Sequence, residues 1–334
     1  MLELYTPRGV NTTPKNSDFE FLSDTSAKDK PWDGHRLNGD KMVLQLDAAG
    51  LDRPAERLTE CAQSLFFALA ADRETGEQKL KLQNAHFCHY RHCPVCGWRK
   101  SLKNKARFLE QVSALEAQYP KARWIMLTLT VQNCQVDELR ETIKAMNSGW
   151  NRLVKRTEFN SVIGWIRSVE VTRSKDEMAH PHYHCLLMVK PSYFSHGYVK
   201  TERWAQVWQE CLKVDYLPVC DSRAIKPKIG TGAGGGALYA AAAEVLKYAT
   251  KAADLIEAGP DWLGTFVEQV HALKFLTSGG ALKGIFKATE AEDVDLVHVD
   301  EDKDAESDPD DDAPMLRFDW RKVAVRYARK IQKL

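Results

Sequence analysis

The run Met178-Ala-His180-Pro-His182-Tyr-His184-Cys-Leu-Leu-Met-Val189 constrains this chain more than any other stretch. Side chains of a strand alternate between its two faces. His180, His182 and His184 then share one face, and Tyr183, Cys185, Leu187 and Val189 share an apolar one. Imidazoles two residues apart on a buried-backed strand make a preformed divalent-metal site. The plainer alternative is a solvated, histidine-rich edge.

The residues around this run set a topology. Arg123-Trp-Ile-Met-Leu-Thr-Leu-Thr-Val131 reads as a strand, Val136 to Lys155 as an amphipathic helix, and Val162 to Thr172 as a second strand. The short Ser174-Lys-Asp-Glu connection pairs that strand with the histidine strand as a hairpin. Thr201 to Val214 follows as a helix with Trp204, Val207, Trp208 and Cys211 on one face, and Pro218 to Ile225 as a fourth strand. A Gly-rich stretch, 230–236, leads to a long helix from Leu238 to about Glu257. Strand, helix, strand, strand, helix, strand is a ferredoxin-like split βαβ, here with one appended helix. The expected class is α+β, an antiparallel sheet with helices on one face. The Gly-rich stretch lacks the strand, helix and downstream acid of a dinucleotide fingerprint, and reads as a hinge.

Outside this core, residues 1–50 are polar and weakly periodic and read as disordered. Arg53 to Ala70 has helical spacing, and Trp98 to Gln118 reads as a basic helix ending at Tyr119-Pro120. Residues 51–120 are therefore expected to be a helical segment carrying a cysteine knuckle, and 121–258 the core. A helical extension over 259–289, an acidic disordered linker over 290–312 and a basic amphipathic helix over 313–334 complete the division.

The net charge of +1 conceals an asymmetry. Residues 290–312 hold 13 Asp and Glu and one Lys. Of 47 basic and 46 acidic residues in all, 46 basic and 33 acidic therefore remain elsewhere, an excess of 13. A basic body suits phosphate binding, and the acidic run suits a tether or a shield for that surface. A content of 44% hydrophobic and 28% charged residues is that of a soluble globular protein. With no apolar run of membrane-spanning length and no signal-peptide pattern, the expected compartment is the cytoplasm, with no membrane partner.

Eight cysteines without a secretion signal favour reduced thiols or metal ligands. Cys88-x4-Cys93-x2-Cys96 offers three zinc ligands, with Cys61, His86, His89 and His92 as candidates for the fourth. The following Arg99 to Arg107 segment is a candidate grip on a DNA backbone. On the appended helix, Glu244, Tyr248 and Lys251 fall three and four residues apart, so acid, phenol and cation share one face.

Four motifs in order carry a resemblance. They are the cysteine block, Leu127-Thr-Leu-Thr130, His180-Pro-His182-Tyr-His184, and Glu244-Val-Leu-Lys-Tyr248-Ala-Thr-Lys251. Together, over about residues 53–257, they resemble the rolling-circle plasmid replication initiators (Rep) of the HUH endonuclease superfamily, in the single-tyrosine form with an assisting glutamate. The resemblance implies metal-dependent nicking and strand transfer of single-stranded origin DNA. Tyr248 would be the nucleophile that forms a 5′-phosphotyrosine. Glu244 would activate water at termination, and Lys247 and Lys251 would assist the phenol. It implies His182 and His184 as ligands of Mn²⁺ or Mg²⁺, with Glu170 favoured over His180 as the third. It also implies structural Zn²⁺ with Cys61 as the fourth ligand. Duplex origin DNA, a host helicase and a DNA polymerase are the implied partners. A relaxase or transposase of the same superfamily, and a non-catalytic DNA-binding regulator of the same fold, are the competing classes.

Overall fold

The alternating strands settle into two five-stranded antiparallel sheets in the computed structural model. The structure describes residues 18–71, 76, 78–225, 236–247, 252–286, 295–299 and 314–331. The central sheet has the order β7-β4-β6-β5-β8, with β4 Arg123–Thr130, β5 Val162–Arg173, β6 Ala179–Val189, β7 Cys220–Ile225 and β8 Leu276–Gly280. The second sheet has the order β1-β10-β9-β2-β3, with β1 Phe19–Phe21, β2 Ser64–Ala71, β3 Gln78–Ala85, β9 Leu316–Arg321 and β10 Arg326–Lys330. The described helices are α1 Leu22–Thr25, α2 Pro31–Ala48, α3 Asp52–Glu60, α4 Pro94–Gln118, α5 Leu139–Leu153, α6 Thr201–Leu212, α7 Gly236–Leu246, α8 Ala252–Glu257 and α9 Pro260–Val270.

β6 runs between β4 and β5, with Thr130 and Glu170 opposite His182, and Thr128 and Ser168 opposite His184. Its odd-numbered face, with Tyr183, Cys185, Leu187 and Val189, packs on Ile143, Met146 and Trp150 of α5 and Trp204, Val207 and Trp208 of α6. The even-numbered face is covered too, so the expectation of helices on one face is corrected. Leu186 and Met188 join Trp124, Met126 and Ile166 in a second cluster under Phe108 and Val112 of α4 and Leu238, Ala242 and Val245 of α7. The histidines continue that second face beyond its apolar part, so α7 packs on the surface the histidines share.

Five further expectations are corrected. The region 1–50, read as disordered, contains β1, α1 and α2 over its described part. The buried stripe of α2 is Trp32, Arg36, Gly39, Met42 and Leu46. An arginine and a glycine in two of its five places hide the helical period. The two Nη groups of Arg36 donate to the Leu58 and Thr59 carbonyls and to Asp40. The Arg53–Ala70 helix stops at Glu60, and Ser64 onward is β2, after a turn with Ala62 at φ 51°. The region 51–120 is thus not wholly helical.

The extension 259–289 holds α9 and then β8, which adds an edge to β5. The basic helix expected over 313–334 is the β9–β10 hairpin. Phe318 and Trp320 alternate inward, and Tyr327 donates a hydrogen bond to the Ala62 carbonyl at 2.5 Å. Within the acidic region, residues 295–299 are docked rather than disordered. Leu296 and Val299 are buried, Arg99 donates to the Leu296 and Val297 carbonyls at 2.9 and 2.8 Å, and Lys103 to that of Asp295 at 2.5 Å.

The β8 edge depends on two glycines. A Cβ on Gly279 would lie 2.5 Å from the Trp165 ring, and one on Gly280, at φ +59°, would collide with the Ile163 carbonyl oxygen. Gly280→Ala is expected to destabilise the fold by about 1–3 kcal/mol, read from the denaturant midpoint at unchanged m-value.

Candidate metal centres and nucleic-acid interface

Two clusters of metal-capable side chains occur among the described residues. The first is made of sulfur. Cys61 follows α3, Cys88 follows β3, and Cys93 and Cys96 open α4. Pro94 at the first turn of α4 suits its backbone to a helix start, and the Cys93 sulfur accepts the Cys96 N–H. The Sγ separations are 3.6 Å for Cys61–Cys96 and Cys61–Cys93, and 3.7 Å for Cys88–Cys96. Four thiolates about 2.3 Å from a common tetrahedral centre would lie about 3.8 Å apart, so the donor set fits a small thiophilic dication. Backbone N–H groups of Cys88, Tyr90 and Cys96 each lie 3.5 Å from a sulfur of the set, the outer-shell pattern of metal thiolates. His92 is instead buried beside Tyr90 and Phe266, with its pKa pushed down to about 3 by burial and by Arg91. His86 and His89 lie outside the cluster as well.

The second cluster is Glu170, His182 and His184. The hairpin register puts Glu170 directly opposite His182. The His184 Nε2 lies 2.8 Å from Glu170 Oε2, the His182 Nε2 lies 3.4 Å from it, and the two Nε2 atoms are 3.2 Å apart. The His182 Nδ1 lies 3.2 Å from the His180 carbonyl oxygen. That oxygen only accepts, so Nδ1 carries the proton and Nε2 presents its lone pair. His184 Nδ1 faces the Thr128 hydroxyl at 3.4 Å. Lone pairs and a carboxylate converging on one point fit a shared cation. His180 turns away from this point, its Nδ1 2.7 Å from Asn133 Oδ1.

The end of α7 meets this cluster. Val245 and Leu246 are buried against the sheet, which carries Glu244 and Lys247 to its rim. Lys247 Nζ is 2.9 Å from Glu170 Oε2 and 2.5 Å from Glu244 Oε1, and Glu244 Oε1 is 3.7 Å from His184 Nε2. Burial opposes ionisation of Glu170, but the His182 and His184 imidazoles and the Lys247 ammonium beside it outweigh burial and hold its pKa well below the usual carboxylate range. Burial likewise opposes a charged Lys247, and Glu244 and Glu170 outweigh it and raise its pKa. The continuous Leu238–Glu257 helix is described as α7 and α8 separately, and Tyr248 and Lys251 lie outside the described residues.

Two supporting residues escape the motif reading. Behind the histidine strand, Arg167 is buried with its guanidinium 4.2 Å from the centre of the Tyr183 ring. Arg167 Nη2 and the Tyr183 hydroxyl both donate to Asn147 Oδ1, at 2.8 and 3.0 Å. The signal was a charge in an otherwise apolar alternation, Trp165, Arg167, Val169, Val171. The proposed DNA grip on Arg99 to Arg107 is partly corrected, since Arg99 is buried and bonds the chain's own carbonyls.

Fold and sites together define an α+β protein with one sulfur cluster, one histidine–carboxylate cluster, and basic residues between them. A family model described as replication protein matches residues 79–328. Relatives named "Protein rep" occur in Streptococcus pneumoniae serotype 2, Bacillus amyloliquefaciens and Lactiplantibacillus plantarum. The first is 36% identical over 83% of this chain and 86% of its own length. The second is 33% identical over 86% and 92%, and the third 34% identical over 89% and 95%. No solved structure matches. The chain belongs to this replication-protein family, that of the plasmid rolling-circle initiators. Among the described residues, no helix is long and apolar enough to cross a membrane.

Asn147→Ala leaves Arg167 and the Tyr183 hydroxyl without their acceptor. It is expected to cost about 1–3 kcal/mol, read by denaturant unfolding, with Asn147→Asp recovering most of the loss.

Proposed function

We propose that this plasmid replication initiator nicks one strand of its origin through a covalent tyrosine intermediate and transfers that strand. The order β7-β4-β6-β5 in the central sheet, all antiparallel, supports a ferredoxin-like catalytic core within it. The observation that carries the reading is the Lys247 ammonium bridging Glu170 and Glu244. It ties the helix end that precedes Tyr248 to the His182, His184 and Glu170 cluster.

His182, His184 and Glu170 would hold Mn²⁺ or Mg²⁺, and Cys61, Cys88, Cys93 and Cys96 would hold Zn²⁺. The divalent ion, when bound, supplies Lewis-acid charge stabilisation and orientation to the scissile phosphate. The Tyr248 oxygen attacks phosphorus and the bond to the 3′ oxygen breaks, leaving a 5′-phosphotyrosine and a free 3′-OH. That hydroxyl primes a host DNA polymerase, with a host helicase opening the duplex ahead. A phenol with pKa about 10 ionises near neutrality only with help from cations, and Lys247 and Lys251 are the adjacent ones in sequence. Glu244 acts at termination as general base toward water, so that the enzyme is released after one round.

Wild-type protein with Mn²⁺ and an origin single strand should give a covalent adduct resolvable on a denaturing gel. Tyr248→Phe should abolish it and His184→Ala should reduce it at least about a hundredfold. An adduct of wild-type yield in Tyr248→Phe would overturn the nucleophile. No adduct at all in the wild type would favour a DNA-binding regulator. The purified protein should carry about one zinc per chain by metal analysis, and Cys93→Ser should lose both the metal and most of the folded state.

A further inference from the structure

A cleft of about 630 Å³ separates the cysteine knuckle from the end of α7. Its volume falls in the range of small-ligand sites, roughly 300–1,000 Å³. Neither fold class nor family membership gives it a role.

Three features of the cleft converge. It carries Lys100, Lys247, Lys274 and Arg91, and none of its lining residues is acidic, in a chain where acids and bases are nearly equal in number. Its floor is apolar, with Val245, Leu246, Leu276 and Leu296. It is also continuous with the proposed nicking centre. Lys247 bonds Glu170, and Ser168 stands opposite His184 in the sheet. A wall of aromatic and aliphatic groups under a cationic rim is the chemistry of a single-strand site, where bases lie on apolar surface and cations follow the backbone. Tyr90 adds an unmet donor, since its hydroxyl is buried and has no hydrogen-bond partner among the described residues.

We propose that this cleft is the subsite that holds the single-stranded DNA flanking the scissile phosphate, with Lys100 and Lys274 contacting backbone phosphates. The inference rests on the nicking reading for its direction along the strand, but not for the binding itself. Lys100 comes from α4, directly after the sulfur cluster, and Lys274 from the segment between α9 and β8. Both are exposed. The zinc-binding segment would then form one wall of the substrate channel as well as bracing the fold.

The test uses the full chain and a fluorescent oligothymidylate of about 20 nucleotides, read by anisotropy over a salt series. Lys100→Glu/Lys274→Glu should weaken binding at least about tenfold and flatten the salt slope by about 1.4, two contacts at roughly 0.7 each. The charge-matched pair Lys144→Glu/Lys155→Glu, on and just after α5 across the sheet, should change affinity by less than about twofold. Equal losses from both pairs, or no loss from the first, would overturn the subsite.

Zinc content and the melting curve report whether the first pair folds. If it does not, the wild type photo-crosslinked to the same oligonucleotide carrying 4-thiothymidine decides the matter. Adducts within residues 89–104, 245–247 or 273–276, which line the cleft, are expected, and adducts confined elsewhere overturn the proposal. The Mn²⁺-dependent tyrosine adduct is assayed in parallel. An adduct without a cleft effect removes the subsite alone, and a cleft effect without an adduct removes the nicking reading alone.

Discussion

The cross-strand pair of Glu170 and His182 depends on the register of the β5–β6 hairpin, and so does nearly everything of functional interest. A slip of one residue would move His182 and His184 into the α5–α6 core and bring Tyr183 and Cys185 to the site face. Burial of Tyr183, Cys185, Leu187 and Val189 on one side makes that slip prohibitively costly. The neighbouring Arg167 and Asn147 add a polar lock, since the guanidinium and the Tyr183 hydroxyl share one acceptor. Apolar burial on one face of a strand therefore positions polar chemistry on the other.

The two clusters differ in what they leave open. The sulfur set is buried, assembled from three segments of the chain, and encloses its centre. Such a set suits a brace, because closed four-ligand sites leave no position for substrate. The histidine–carboxylate set offers three donors, fewer than a divalent ion takes, and so leaves coordination positions open. Lys247 reaches Glu170 from the helix, so the electrostatic state of the cluster depends on α7 being docked through Val245 and Leu246.

The core was legible because its periods are clean. Residues 123–131 are nearly all apolar or β-branched, and the histidine run alternates without interruption. Its close neighbour Glu170 could be placed by counting through a short hairpin. The failures have physical causes too. In α2 a buried arginine and a glycine interrupt the apolar stripe, and polarity was mistaken for disorder. In residues 316–330, arginines occupy the outward positions of a hairpin, and their abundance imitated a basic helix. Covering of the site face by α4 and α7 is a tertiary fact, since Leu186 and Met188 state that their face is buried and not by what. The docked residues 295–299 are held through backbone carbonyls, which leave no trace in side-chain composition.

The place of the β9–β10 hairpin bears on how the protein is made. These strands do not append to the second sheet but stand inside it, between β1 and β2. Among the described residues β1 has no other strand neighbour, and β2 gains its second one from β9. During synthesis, the layer that backs Cys61 and Cys88 thus stays incomplete until residues 316–330 have left the ribosome. A prematurely terminated chain would leave β2 with an open edge in that layer. Completion of the second sheet is in this way coupled to translation of the late hairpin.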